Sequence, residues 1–211
     1  MPVDRACIVA YSRFTSCNYS DTIAVLVGPE QQSFTVHKDV ICNRSTFFRA
    51  ACSTRWKEGQ EKIVRLLAVK PSVFEMYMDW VCFGEVASNV TRWLTDRLTD
   101  LYLLGDVVDD KGLRNKVMAT LQDHVYKANN GPGSSLICRI CENTAEGSTL
   151  RKWAIDVPLL RSQKYFANRV SEYPSDFVQQ IAVELMQQTS DIGSATFLAR
   201  SQYQEVDGEE A

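Results

Sequence analysis

Two cysteines three positions apart, Cys138 and Cys141, have the residue type and spacing that most directly suggest chemistry. A C-x-x-C pair can supply half of a structural zinc site or a redox-active dithiol. A zinc site needs further ligands, and a redox pair needs a thioredoxin-type strand before it. The neighbouring sequence supplies neither. We therefore interpret both thiols, which are spaced to share one face of a predicted helix, as small buried side chains.

Histidines are too few to support many catalytic arrangements. The chain has two of them, His37 and His124, so a cysteine nucleophile would have few bases to pair with. Gly131–Ser134 lacks the lysine and the spacing of a phosphate-binding loop. We expect no enzyme activity, cofactor or metal. A thiol enzyme or a zinc protein is the least favoured alternative.

Charge and hydropathy exclude other classes of function. Among 211 residues, 23 are basic and 26 are acidic, for a net charge of −3. No excess of cations is therefore available to neutralise nucleic-acid phosphates. Hydrophobic residues make up 45% of the chain, which is enough for a core. No run approaches the roughly 20 apolar residues that span a bilayer. We expect neither nucleic acid nor membrane as a partner.

Cysteine usage indicates a compartment. The seven cysteines are an odd number, and the first residues show no signal-peptide pattern. We expect reduced thiols in a cytoplasmic or nuclear protein.

The elements that must position functional residues begin with a predicted hairpin. Asp21–Val27 is an apolar, β-branched run that ends at Gly28 and Pro29, and Gln32–Val36 alternates polar with apolar residues. A third strand is predicted over Lys62–Leu67, after a loop marked by Gly59. Helices are predicted over Asp39–Arg44, Ser45–Cys52, 70–83, two segments between Leu94 and Val125, Ser134–Asn143 and Tyr173–Gln188. Ser45 is the predicted N-cap of the second of these helices, and Gly84 is predicted to end the third.

Several motifs occur in order along these elements. They are Asp21 before the first strand, Phe34-x-Val36-His37-Lys38 ending the second, Ser45-x-Phe47-Phe48 in a helix, Trp80-x-x-Phe83-Gly84, and Tyr102-Leu103-Leu104-Gly105-Asp106. In this order they resemble the BTB/POZ domain. The resemblance implies an α+β fold in which a small N-terminal β-sheet caps a cluster of α-helices, followed here by a helical extension.

The resemblance also implies a domain organisation. We expect a lead-in over 1–17, a BTB/POZ domain over 18–126, a linker over 127–133, a helical extension over 134–200 and an acidic, disordered tail over 201–211. Ser148-x-Leu150-Arg151 and Tyr173-Pro174-x-x-Phe177 make the extension similar to that of many fungal BTB proteins.

Two sets of residues match functional positions of the family. Asp21 and Lys38 fall where dimerising members line a charged pocket; the alternative is a solvated surface pair. Trp56-Lys57-Glu58 resembles the hydrophobic-x-Glu triplet of cullin-binding members, in which the apolar side chain enters a cullin pocket. The alternative is that Trp56 folds back onto its own helices while Glu58 is solvated.

Four further positions match structural features of the family. His37 is interpreted as a structural histidine beside the first helix rather than a metal ligand or general base. Phe47 and Phe48 are expected in the core more than in a partner groove. Gly84 is expected to end the third helix.

Together these residues predict an interaction protein that forms a homodimer and recruits a protein partner. Its most concrete form is an adaptor that binds a cullin of a ubiquitin ligase. The alternative is a structural or transcription-associated oligomerisation scaffold with no ligase role.

Overall fold

A three-stranded sheet forms the N-terminal part of the protein. The structure, a computed structural model, describes residues 20–86, 94–128, 132–161 and 168–191. Strands β1 (Thr22–Val27) and β2 (Gln32–His37) are antiparallel, and β3 (Ile63–Leu66) joins β1 in parallel, which gives the order β2-β1-β3. Alternate residues of β1 are buried, so one face of the sheet lies on the core.

Helices make up most of the remaining described residues. They are α1 (Lys38–Arg44), α2 (Thr46–Ala51), α3 (Lys57–Glu61), α4 (Pro71–Phe83), α5 (Leu94–Val107), α6 (Lys111–Ala128), α7 (Ser134–Asn143), α8 (Thr149–Arg161) and α9 (Ser175–Asp191), with a 3₁₀ turn at Val170–Glu172. The result is the predicted α+β arrangement of a small N-terminal sheet with a helical body. No helix in the described ranges is both long and apolar enough to cross a membrane.

Local signals in the sequence set several of these boundaries. Gly28 turns the β1–β2 hairpin with a φ of 76°, a backbone conformation that glycine adopts without strain. Ser45 is the N-cap of α2, and its hydroxyl accepts a hydrogen bond from Phe48 N at 3.0 Å. Gly84 ends α4 in the left-handed region, with a φ of 70°. These three predictions are confirmed.

Three local predictions are wrong. The segment at Gly59 is a short helix, α3, where a loop was predicted. Helix α8 was not predicted, because Pro158 interrupts its pattern. Helix α9 begins at Ser175 instead of Tyr173, since Pro174 favours an extended residue before it.

The core is continuous from the sheet to the extension. One cluster of buried side chains includes Val25 of β1, Phe74 of α4, Leu98 of α5, Ile137 of α7 and Phe177 of α9. Because the extension shares this cluster, it is packed as part of the same folded body.

An arginine on α7 also links the extension to α5. Arg139 forms ion pairs with Asp96 at 3.1 Å and Asp100 at 3.2 Å. Asp100 in turn pairs with Lys70 at 2.9 Å, just before α4. This chain of charges joins the BTB-like helices to the extension along one side of α5.

Within the extension, Arg151 of α8 is the central polar residue. Its side chain is buried and donates hydrogen bonds to Gln180 at 3.0 Å, to the Cys141 carbonyl at 3.3 Å and to Asp176. A buried guanidinium is stable only when its donors are satisfied. Arg151 therefore ties α9 and the end of α7 to α8.

The predicted lead-in over 1–17 and the acidic tail over 201–211 lie outside the described residues, as do residues 129–131 of the linker. The predicted domain boundaries stay predictions.

Candidate protein-interaction surface

Helix α3 presents the two residues of the predicted cullin-binding triplet. Trp56 is its N-cap, with an extended backbone, and its side chain is 60% exposed. Glu58 lies in the first turn and is exposed. The structure thus places both side chains at the surface, and Trp56 does not fold back into the core.

A close backbone contact holds α3 in place. A Cβ atom at Gly59 would lie 2.0 Å from the carbonyl oxygen of Ser53 and 3.0 Å from the carbonyl carbon of Cys52. Only glycine permits this approach. Helix α3 is therefore packed directly on the peptide that follows α2, which fixes where Trp56 emerges.

Hydrogen bonds complete the segment between α2 and α3. The Trp56 N–H donates to Ser53 O at 3.2 Å, and the Gln60 N–H donates to Trp56 O at 3.2 Å. The Gln60 side chain donates to Thr54 O at 3.2 Å. The Trp56 N–H and carbonyl are thus both hydrogen-bonded, while the indole side chain remains exposed.

Asp21 and Lys38 lie together, as the resemblance implied, but a second lysine joins them. The Asp21 carboxylate is 3.6 Å from Lys38 Nζ and 2.7 Å from Lys62 Nζ. The Asp21 and Lys38 side chains are 30% and 32% exposed. We call Asp21, Lys38 and Lys62 the charged cluster. In the single chain it is half-buried, which fits neither a fully buried pocket nor a freely solvated pair.

The charged cluster holds its carboxylate ionised. The hydrogen bond from Lys62 is the largest influence and lowers the pKa of Asp21 below its ordinary value of 3.8. Desolvation is the second-largest influence and raises the pKa, but the attraction of Lys62 and of Lys38 adds to the hydrogen bond, and the net shift is downward.

Lys62 was not predicted to belong to this site. It ends α3 in the left-handed region, with a φ of 55°, and this conformation directs the chain back toward β1. The Asp21–Lys38 contact did have a signal in the sequence, because a hairpin that pairs Thr22 with His37 brings residue 21 next to residue 38. No comparable signal marks Lys62.

The four structural positions lie around this surface. His37 ends β2 and precedes α1. Phe48 is fully buried and packs edge-to-face on the half-buried Phe47, with ring centroids 5.2 Å apart. Gly84 ends α4 through a 2.8 Å hydrogen bond to Trp80 O. Phe48 is thus a core residue.

The described residues include four free cysteines, whose burial can be compared with the prediction. Cys42, Cys52, Cys138 and Cys141 are free. Cys138 and Cys141 are half-buried rather than buried as predicted. In the described ranges no three Cys, His, Asp or Glu side chains are grouped as metal ligands would be.

Comparison with known proteins decides the family. A family model described as the BTB/POZ domain matches residues 12–124, which cover the sheet and helices α1 to α5 and most of α6. The chain belongs to the BTB/POZ domain family. A BTB domain is a protein–protein interaction module, so binding to other proteins is the function of this part of the chain.

Curated relatives match within the BTB domain. Mouse kelch repeat and BTB domain-containing protein 4 is 28% identical over 83 residues, and the human protein of that name is 26% identical over 83 residues. Each match covers 39% of this chain and 15% of the relative. The chain therefore spans about 15% of the length of these relatives.

Solved BTB domains are similar at lower identity. The BTB domain of zebrafish PATZ1 is 17% identical, with a TM-score of 0.36, over 50% of this chain and 75% of that one. The BTB domain of human gigaxonin is 13% identical, with a TM-score of 0.37, over 46% of this chain and 74% of that one.

Proposed function

We propose that this BTB protein self-associates and recruits a cullin of a ubiquitin ligase, and that it acts by binding rather than by catalysis. The exposure of Trp56 at the start of α3 carries the proposal. The triplet that resembles the cullin-binding motif is on the surface, on a helix that the rest of the domain holds in place.

Trp56 has the physical properties of an interface anchor. A tryptophan buries about 150–250 Å² when a partner covers it, and it loses little conformational entropy in doing so. The Gly59 contact on Ser53 holds the middle of α3, and the Lys62–Asp21 ion pair holds its C-terminal end. A helix that is already in place has less entropy to lose on binding, which favours affinity.

Glu58 supplies the polar part of the proposed contact. It lies two residues after Trp56, on the exposed first turn of α3. A carboxylate next to a buried aromatic anchor satisfies donors of the partner that the contact would otherwise leave unpaired.

A titration calorimeter tests the proposal with the purified chain and a cullin N-terminal domain. We expect sub-micromolar binding by the wild type. Trp56→Ala should weaken it by at least about thirtyfold, as the loss of a central anchor does. Glu58→Ala should weaken it measurably. The matched controls are Val107→Ala, an exposed apolar residue of α5, and Glu75→Ala, an exposed carboxylate of α4.

Folding of each variant is checked by circular dichroism before the titration. Absence of heat with a folded wild type contradicts the cullin proposal. Equal affinity of Trp56→Ala and wild type contradicts the assignment of the anchor.

A homo-oligomerisation scaffold without a ligase role is the second candidate. The half-buried charged cluster favours it, because one more surface laid over Asp21 and Lys38 would bury a pair that is already formed. Sedimentation velocity measures the oligomer directly. We expect a wild-type dimer that dissociates at a higher concentration in Asp21→Asn, since an unpaired lysine would be left in the interface. A dimer of unchanged affinity contradicts a role for the cluster.

A further inference from the structure

Helix α3 depends on contacts with its surroundings for its order. It has five residues, and none of them is buried. An isolated helix of this length does not persist in water, and an element with few buried contacts opens more readily than the core does. Helix α3 therefore has an open state besides the docked state seen in the structure.

The docked state brings Lys62 to Asp21. Lys62 is the C-cap of α3, where its N–H donates to Glu58 O and its backbone has a φ of 55°. Its Nζ lies 2.7 Å from the Asp21 carboxylate. Because side chains other than glycine disfavour the left-handed conformation, Lys62 leaves it once the bond to Glu58 breaks. Opening of α3 therefore moves the Lys62 side chain and breaks the ion pair.

The other end of α3 carries the proposed anchor. Trp56 is the N-cap, and Glu58 lies in the first turn. The Trp56 carbonyl accepts the Gln60 N–H at 3.2 Å, a bond that exists only while the helix is formed. The docked state thus fixes Trp56 and Glu58 relative to each other, and the open state does not.

We propose that the Asp21–Lys62 ion pair couples the two interaction surfaces. A second copy of the chain that covers the charged cluster tightens the binding of a protein at Trp56, and binding at Trp56 tightens self-association. This coupling rests on the proposed function, because it uses both the anchor at Trp56 and the dimer surface at Asp21. It adds that the two surfaces are not independent.

Burial of the charged cluster determines the sign of the coupling. Breaking an exposed ion pair costs little, whereas breaking a buried one leaves an uncompensated charge and costs much more. A second copy laid over Asp21 moves its pair with Lys62 from the first case toward the second. Since opening of α3 breaks that pair, α3 opens less often in the dimer. Linkage requires that a partner bound at Trp56 stabilises the dimer in return.

The open fraction of the monomer limits the size of the effect. A helix that is open about half of the time gains at most a factor of about two when it is held docked. Each chain of a dimer contributes this factor once. We therefore expect a partner that holds both copies of α3 docked to tighten the dimer about fourfold.

Lys38 provides the matched control within the charged cluster. It pairs with the same carboxylate, at 3.6 Å, but it belongs to α1. Lys62→Met and Lys38→Met each remove one positive charge beside Asp21, and only the first removes the contact with α3. Lys62→Arg keeps the charge at the end of α3.

Hydrogen exchange of the Gln60 amide in the dilute, monomeric protein tests the step inside the chain. Its rate, relative to that of an unstructured peptide, gives the equilibrium constant for opening of α3. We expect Lys62→Met to raise this constant about twofold to fivefold, as the loss of an exposed ion pair does. Lys62→Arg and Lys38→Met should stay near the wild type. An equal constant in Lys62→Met and wild type, or an equal rise in Lys38→Met, overturns the coupling. A wild-type constant below about 0.1 also overturns it, since the dimer would have too little open helix to shift.

Sedimentation velocity tests the linkage between the two surfaces in the full-length protein. The dimer dissociation constant is measured with and without a saturating cullin N-terminal domain. We expect the domain to lower this constant about fourfold in the wild type and to leave it unchanged in Lys62→Met. An unchanged constant in a wild type that both dimerises and binds the domain overturns the coupling alone, as does an equal drop in Lys62→Met. A wild type that fails to bind the domain, or to dimerise, overturns the proposed function and the coupling with it.

Discussion

At the scale of single residues, one carboxylate of the charged cluster forms ion pairs with lysines at two different helices. Asp21 precedes β1 and pairs both with Lys38 at the start of α1 and with Lys62 at the end of α3. Its backbone carbonyl also accepts the Lys38 N–H at 2.9 Å. A change at Asp21 therefore affects the attachment of α3 as well as the proposed dimer surface.

The depressed pKa of Asp21 predicts a pH dependence of stability. Because the folded pKa lies below the ordinary 3.8, the cluster stabilises the fold fully above that value. The contribution is lost as pH falls through the folded pKa. Asp21→Asn should therefore lower the free energy of unfolding at pH 7 and have less effect near pH 3, a range in which carboxylates protonate. Urea unfolding at both pH values measures this.

Asp79→Asn is the control for that series, since Asp79 is an exposed carboxylate of α4. An equal difference between wild type and Asp21→Asn at both pH values would show that the carboxylate charge plays no part.

Residue types explain why some contacts could be predicted and others could not. Ser45 was predictable as a cap because its hydroxyl acts within its own helix turn. Asp110 was not: it is buried, accepts the Trp80 indole N–H at 3.0 Å and caps Leu113 N at 2.9 Å. Nothing local in the sequence links Trp80 to a residue on another helix, so only the folded chain shows this pair.

At the scale of elements, α3 is the part that the sequence describes least well. Glycine disfavours helices, which is why a loop was predicted at Gly59. The helix forms because that glycine lets it approach the Ser53 carbonyl. The strands and α4 were predictable, since alternation and dense apolar runs come from their own residues. Helix α3 depends on tertiary packing instead.

Gly59→Ala should destabilise α3, although replacing glycine by alanine inside a helix usually stabilises it. Alanine at an unhindered helix position stabilises by about 1 kcal/mol relative to glycine. At Gly59 the new Cβ would meet the Ser53 carbonyl at 2.0 Å, so we expect α3 to detach and its amides to exchange faster. Hydrogen exchange of Lys57–Glu61 measures this.

Gly147→Ala is the matched control, because no atom lies within 4 Å of the Cβ position there. Unchanged protection of α3 in Gly59→Ala would show that the close contact does not hold the helix.

At the scale of the whole molecule, the extension and the BTB domain share one core. Ile137 of α7 is fully buried in the same cluster as Phe74 of α4. The extension was predicted as helices, but its attachment was not predictable, because Arg139 meets Asp96 and Asp100 only in the folded chain.

A shared core predicts cooperative unfolding. Ile137→Ala should cost about 2–5 kcal/mol, as other large-to-small core changes do. If the protein unfolds as one unit, native-state hydrogen exchange will show the same loss of protection in α4 as in α7. Val183→Ala, at an exposed position of α9, should change neither. Loss confined to α7 would mean that the extension unfolds by itself.

The parallel pairing of β1 with β3 also determines when the sheet can be completed. Ala24 pairs with Ile63, and α1, α2 and α3 all lie between them in the chain. On the ribosome, the β1–β2 hairpin emerges first, and one edge of β1 stays without its partner until those three helices have been synthesised. An open apolar strand edge readily pairs with other chains. The interval before β3 arrives is therefore a stage of biosynthesis at which this protein is prone to aggregate.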